Sequence, residues 1–570
     1  MKSPLAKMAR MKLALKLLGA LGVATIGMGA NCPGGAQSKA NFSNTRLSSS
    51  FSSSSTKSWD SAQIVDLGAV DVSSSCLRHN HNQPLTALAG RSIWQQPMAV
   101  FSDATASFGV AFNREDYEQN VVSCPSGGLT SMNAYTTYNT DITATETWIS
   151  SYGNFTQLDG SVYAHTGTAL DNRGTAEDSI KPMAVVDSAG NTTLVYLGYV
   201  DVDDDGTADT RVPVGSRHVS GNGGAWSAPQ ILTQLASDGA ANDVSTAAAV
   251  AVDASDNVVV AYEQNGDVFF NQYRSFLGWR FTGNAFPAEA IWNDAAHTTV
   301  NRGVALGFDS YGNGYGVYAT AASLYAARWR SDQADNFDNT VSSNLTAGVV
   351  VGAEHGYPKI YVGADGSATV FYMASMAAGV GNLICTSTAA NSASSLGTFT
   401  AGTTFSTGIV ASEGSDHLGP IVASKRSGST SKGALGFIKT GVLYVYKAPT
   451  TASCSGWTAL NSFSSYGTVK WADLAVNSSG DIAVAFAIQT TGGFEQVYGS
   501  IYTASTNSWS TVTRLDNDSS FTPATSGTVN GRTRPSVVID ESGNAVASYT
   551  KLDAGYALGN RRRAVISSYH

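Results

Sequence analysis

Charge is scarce in this chain: only 14% of its 570 residues are Asp, Glu, Lys or Arg. The Ala/Leu/Glu/Lys signature of long helices is correspondingly weak, which argues against a helical fold. Basic charge is scarcer still, with a formal net charge of -9 at pH 7 and a pI near 5.4. Phosphate binding usually leaves a net basic footprint, so nucleic acid is excluded as the default partner. Cysteine is limited to five residues, and the longest apolar run near the N-terminus, Leu17 to Met28, is too short to span a bilayer. What the chain has instead is 43% hydrophobic residues, 58 glycines and 24 tyrosines, the composition of an all-β protein with a large core.

The N-terminus places Lys2, Lys7, Arg10, Lys12 and Lys16 ahead of that apolar run, with Gly29, Ala30, Asn31 and Cys32 after it. A basic head, a short apolar stretch and small residues describe an export signal over residues 1–31. Residues 32–58 are rich in Ser, Thr and Asn without apolar periodicity, the composition of a flexible tether. Cys32 stands where a bacterial lipoprotein carries its lipid, and the segment resembles such a signal. Lipoproteins usually have Leu three residues before that Cys and Gly or Ala just before it; here those places hold Gly29 and Asn31, so ordinary cleavage near Ala30 or Ala36 stays open. Setting Cys32 aside leaves an even number, and proximity in the repeat order pairs Cys76 with Cys124 and Cys385 with Cys454; four free thiols are the alternative.

Between Gln96 and Asn544 one phrase recurs eight times, most legibly as RPSVVIDESGNAVASY from Arg534 and KPMAVVDSAGNTTLVY from Lys181. Its spacing of roughly 50 to 85 residues marks a repeat architecture. Each unit runs apolar, turns at D-x-x-G or a variant, and resumes with alternating apolar residues, which predicts an antiparallel hairpin. The turn position is Thr105, Gly190, Asp256, Gly312, Gly366, Gly428, Gly480 and Gly543. A third strand follows, then a fourth opening with an aromatic: Trp148, Trp226, Trp279, Phe337, Phe399, Trp457 and Trp509. The last unit lacks that fourth strand, and WDSAQIVDLG from Trp59 supplies a matching one ahead of the first unit. The expectation is an eight-bladed β-propeller over residues 59–570, closed by the N-terminal strand completing the last blade. Seven blades are the alternative, if the first or sixth unit is a decorated loop. The units resemble the D-x-x-G-N propeller repeats of bacterial exported proteins, while the WD-repeat and kelch signatures are missing from them.

The sharpest local motif is DVDDDGTAD. Asp201, Asp203, Asp205 and Asp209, with Thr207 as a backbone carbonyl donor and Gly206 at the turn, follow the D-x-D-x-D-G-x-x-D pattern that gathers oxygen ligands around calcium. The loop resembles the FG-GAP loops of integrin-type propellers. An EF-hand would need Glu where Val212 stands. Calcium is thus the expected cofactor, in a stiffening role.

Aligned on the Pro of each unit, the preceding position reads Gln96, Lys181, Ala247, Gly303, Tyr357, Gly419, Trp471 and Arg534, and the position two earlier includes Trp94, His355, His417 and Arg532. These residues are expected to ring the mouth of the channel, joined by Arg561 and Arg562. Aromatic faces, imidazoles and guanidinium forks suit a sugar or carboxylate ligand. No compact His/Cys/Asp spacing for zinc and no G-x-S-x-G elbow accompany them. The leading reading is a monomeric, non-enzymatic binding module at the cell surface, lipid-anchored or secreted, whose ligand is a glycan or a protein. The alternative is a carbohydrate-active, sialidase-like hydrolase, for which Glu354 and Asp416 are the best-placed carboxyls. Sialidases, however, carry S-x-D-x-G-x-x-W boxes, and none is present.

Overall fold

The Asp that opens each D-x-x-G-N turn explains the hairpins. At Asp187, Asp253, Asp309 and Asp540 one carboxylate oxygen accepts the backbone N–H groups two and four residues on, and the other accepts the side-chain amide of the Asn four residues on. At Asp540 these three bonds measure 2.9, 2.8 and 2.9 Å. The carboxylate takes up donors that the tight turn would leave unpaired, and these bonds offset the burial of all four Asp. In the seventh unit the partners exchange places: Asp481 N–H donates to Asn477 Oδ1, and Asn477 Nδ2 donates to Asp481 Oδ2. Gly190, Asp256, Gly312, Gly366, Gly480 and Gly543 all have positive φ, as the turn requires. Thr105 and Gly428 lie outside the described residues.

The computed structural model describes residues 57–64, 77–79, 98–102, 108–118, 128–139, 156–157, 183–200, 210–219, 227, 230–233, 245–264, 267–274, 277–280, 290–292, 303–319, 324–329, 337–345, 356–377, 380–388, 398–410, 419–427, 429–490, 495–516, 535–553 and 561–570. Every regular element among them is a strand. They form antiparallel sheets in chain order, and seven sheets share one plan. In each of these the strand before the turn is innermost, and three more follow outward: for the fourth sheet, Val304–Phe308, Gly314–Ala319, Leu324–Trp329 and Phe337–Asn344.

The first sheet departs from that plan. Its strand Phe108–Glu118 pairs along one edge with both Met98–Ser102 and Leu77–His79. The molecule is therefore an all-β propeller with seven regular blades and an extended first sheet, and eight equivalent blades do not follow from the topology. Successive innermost strands lie side by side, and Met98–Ser102 touches both Met183–Val186 and Ser536–Ile539, so the ring closes. Lys57–His570 is one compact unit.

The core lies between neighbouring sheets. Val259, Ala261 and Phe270 of the third sheet pack on Phe308, Tyr318 and Trp329 of the fourth, and similar clusters fill the other interfaces described. Glycines set the spacing at one recurring contact. A Cβ on Gly215 would lie 2.8 Å from Trp279 Cζ2 of the next sheet, and one on Gly499 would lie 2.8 Å from Trp59 Cζ2. Trp59 thus occupies in the last sheet the place that Trp279 has in the third. Gln63–Ile64 pairs with Ile566 and Val565, Trp59 meets Tyr569 at 5.4 Å between ring centroids, and His570 Nε2 lies 2.6 Å from Asp60 Oδ2. The N-terminal strand completes the last sheet.

Among the described residues the disulfide Cys385–Cys454 joins the third strand of the fifth sheet to the segment ahead of the sixth sheet's fourth strand, with the Cα atoms 5.6 Å apart. This is one of the two pairings read from the sequence. Cys32, Cys76 and Cys124 lie outside the described residues.

If the N-terminal strand holds the ring shut, Trp59→Ala should lower stability by about 3 kcal/mol, as loss of a packed indole does, and Trp279→Ala should cost a similar amount. Urea unfolding followed by fluorescence and circular dichroism checks this. A Trp59→Ala midpoint equal to wild type would show that closure contributes nothing.

Candidate ligand mouth of the ring

Each innermost strand runs toward its D-x-x-G turn, so the ring has a hairpin end and an opposite end where the innermost strands begin. The hairpin end is tied together blade to blade. Ser188 N–H donates to Asp256 Oδ1 at 3.1 Å, Ser310 Oγ to the Ala364 carbonyl at 3.2 Å, and Ser478 N–H to Glu541 Oε2 at 3.0 Å. These bonds join the second sheet to the third, the fourth to the fifth and the seventh to the eighth.

The sixth sheet behaves differently. In its hairpin, Ile421–Ser427 against Thr430–Lys439, Lys425 stands at the position of the turn Asp and Arg426 at that of Ser188. Arg426 donates to the backbone carbonyls of Asp309 and Asp253, the latter at 3.1 Å, in the fourth and third sheets. Lys425 Nζ lies 3.4 Å from Glu541 Oε1 in the eighth. Two adjacent side chains thus reach from one sheet to three others, two and three blades away, which requires them to cross the central opening at this end. Glu541 is subject to opposing influences. Burial pushes its pKa up, but hydrogen bonds from Ser478 and the Lys425 charge outweigh this and hold it below the usual carboxylate value.

At the opposite end the backbone is irregular. Three innermost strands carry bulges there, between Ser245 and Ala248, between Gly356 and Lys359, and between Val469 and Trp471. Bulges re-aim side chains and gather beside functional sites. The aligned positions Ala247, Tyr357 and Trp471 fall within or at the edge of these bulges. Tyr357 is partly buried and has φ 56°. It is flanked by the aligned glycines of the adjacent sheets, Gly303 and Gly419, each within about 4 Å of Tyr357 when a Cβ is built on it. The alignment of the units therefore corresponds to real proximity around the mouth.

Trp471, expected to face a ligand, is only 4% exposed, and its strand position is opposite Ala487. Its ring is enclosed by protein and offers no face for stacking. Arg561 and Arg562 begin the strand Arg561–Tyr569 at the mouth end, opposite Asp553 and Leu552. Trp94, Gln96, Lys181, His355, His417, Arg532 and Arg534 lie outside the described residues, as do Glu354, Asp416 and the calcium-motif residues Asp201, Asp203, Asp205, Thr207 and Asp209. Among the described residues no group of three or more His, Cys, Asp or Glu could hold a metal ion.

Sequence reasoning missed Lys425, Arg426 and Glu541, although a Lys at the place of the turn Asp was a visible signal. It also missed Glu263, 3% exposed near the mouth end of Val258–Gln264.

No protein-family model matches the chain, and no curated protein matches it in sequence. Among solved structures, it is similar to a protein of unknown function from Dyadobacter fermentans (10% identity, 69% of this chain and 94% of that one covered, TM-score 0.35). It is also similar to AofleA from Arthrobotrys oligospora (12% identity, 57% and 88% covered, TM-score 0.33) and to the Hadza microbial sialidase Hz136 (12% identity, 80% and 73% covered, TM-score 0.33). Likeness at that level does not extend to function.

The cross-ring contacts are unequal in strength. Arg426→Ala removes a guanidinium bonded to carbonyls and should cost about 2 kcal/mol, whereas Lys425→Ala breaks an exposed pair and should cost under about 1 kcal/mol. Hydrogen exchange at the Gly312 and Asp256 amides should quicken in Arg426→Ala alone; unchanged exchange would mean that Arg426 does not restrain the hairpin end.

Proposed function

We propose that this chain is an exported binding module that takes a glycan or protein ligand at the mouth of its ring. The observation that carries the reading is the difference between the two ends. Arg426 and Lys425 cross the hairpin end, so a ligand has its approach at the other end, where bulges and a left-handed Tyr357 break the regular strands. In this reading the extended first sheet serves as the eighth blade, because Met98–Ser102 meets the innermost strand on either side of it.

Calcium belongs to the same proposal. Val200 and Thr210, the residues on either side of the D-x-D-x-D-G-x-x-D sequence, pair at the mouth end of their strands, which supports a compact loop between them. Asp201, Asp203, Asp205 and Asp209, with the Thr207 carbonyl, would hold the ion there, and it would stiffen the rim. Lipid attachment at Cys32, a place in the bacterial cell envelope and a monomeric state complete the proposal, on the N-terminal sequence and the closed ring. A hydrolase is the second reading. Glu263 favours it, since a buried carboxyl near a binding mouth can serve as a proton donor once a second carboxyl faces it.

A glycan array probed with the purified protein, in calcium and again in chelator, separates these readings. Retention without loss of sugar is expected, and weaker retention in chelator; release of sugar would favour the hydrolase, and no retention would redirect the search to protein ligands. Asp203→Ala should abolish calcium uptake by calorimetry in the range of about 0.1 to 1 mM typical of extracellular modules. Uptake unchanged in that variant would remove calcium from the proposal.

A further inference from the structure

We infer that Tyr357 is a stacking platform for the apolar face of a pyranose ring, held in place at a cost to stability; this rests on the glycan reading above. A bulky residue at φ 56° is an outlier, because its Cβ crowds the backbone in the left-handed region. The aligned positions on both neighbouring sheets are Gly303 and Gly419, so the ring accepts a residue without a side chain at this place. Glycine adopts such a conformation without strain. Those two glycines are in turn what makes room. A Cβ at Gly419 would sit 2.7 Å from Tyr357 Cβ, and one at Gly303 would sit 3.3 Å from Pro358 Cδ and 3.6 Å from Tyr357 Cα.

The Tyr357 side chain packs on the apolar cluster that includes Phe371, Met373 and Leu383, yet it is not fully covered. It stands in the bulge between Gly356 and Lys359, at the mouth end of its strand. A partly exposed aromatic side chain that packs on an apolar cluster and is flanked by residues without side chains is suited to a flat ligand ring. A sugar's C–H face stacks on such a surface through dispersion and desolvation, and the aromatic character of the side chain matters more than its hydroxyl.

The test compares wild type with Tyr357→Phe, Tyr357→Ala, Tyr357→Gly, Gly419→Ala and the double variant Tyr357→Gly/Gly419→Ala, each measured by melting and on an array of β-galactosides, β-glucosides and sialosides. Tyr357→Phe should bind as wild type. Tyr357→Ala, Tyr357→Gly and Gly419→Ala should each lose at least tenfold in apparent affinity for whichever glycan wild type retains. Tyr357→Gly should melt several degrees above Tyr357→Ala, because both lose the ring while only Gly relieves the backbone. Gly419→Ala should melt below wild type, and adding Tyr357→Gly should restore most of that loss. Tyr357→Ala binding as tightly as wild type would overturn the platform with the glycan reading intact. Absence of binding by wild type would defeat the glycan reading and the platform's ligand with it. Equal melting of the Ala and Gly variants would overturn the claim that the ring is held at a cost.

Discussion

The fold depends on a carboxylate at a turn. A hairpin tight enough to reverse direction in four residues leaves backbone donors without strand partners, and in four units one Asp accepts two of them while its second oxygen accepts from an Asn amide. Charge-assisted bonds of this kind are roughly twice as strong as neutral ones. Each Asp therefore fixes where its innermost strand ends, and that in turn fixes which residues of the strand face the two neighbouring sheets. Because the turns are alike, the serines and acids beside them fall at equivalent heights and can bond from sheet to sheet, as Ser188 does with Asp256 and Ser478 with Glu541.

Closure has a different origin. A ring of sheets has two free edges until its ends meet, and here they meet within one sheet, through Gln63–Ile64 on Arg561–Tyr569. The contact is specified by shape as well as by backbone pairing: Trp59 fits over Gly499 and Leu515 in the way that Trp279 fits over Gly215 and Leu232. Across the hairpin end Arg426 adds a restraint of another kind, linking sheets that are not neighbours and so opposing any widening of the ring.

What could be read in the sequence follows the range of each interaction. Turn glycines, fourth-strand aromatics and the borrowed strand are legible because they depend on residues a few positions apart or on a repeated pattern, and six turn positions bear this out with positive φ. Arg426 is not legible in that way, since its partners Asp309 and Asp253 are 117 and 173 residues distant. Trp471 fails for a local reason. Alignment by position assigns it to the mouth, and like the aligned Tyr357 it stands at a bulge, yet its ring is buried, because burial depends on neighbours that the alignment does not specify. The count of blades is obscured by the first unit, whose second strand is long enough to pair with two strands on one edge.

The two ends of the ring also differ in how far they obey the repeat, and the difference has a physical cause. At the hairpin end buried polar groups need partners, and in four units the turn Asp supplies them; the seventh exchanges Asp and Asn, the fifth has Gly363 at that place, and in the sixth Lys425 and Arg426 are bonded across the ring. At the mouth the strands are starting, the backbone constraint is weaker, and units diverge to Ala247, Gly303, Tyr357, Gly419 and Trp471 at a single aligned position. Tyr357 stands at that position with its side chain packed on the Phe371, Met373 and Leu383 cluster, in a left-handed conformation that glycine adopts without strain, between neighbours that have no side chain.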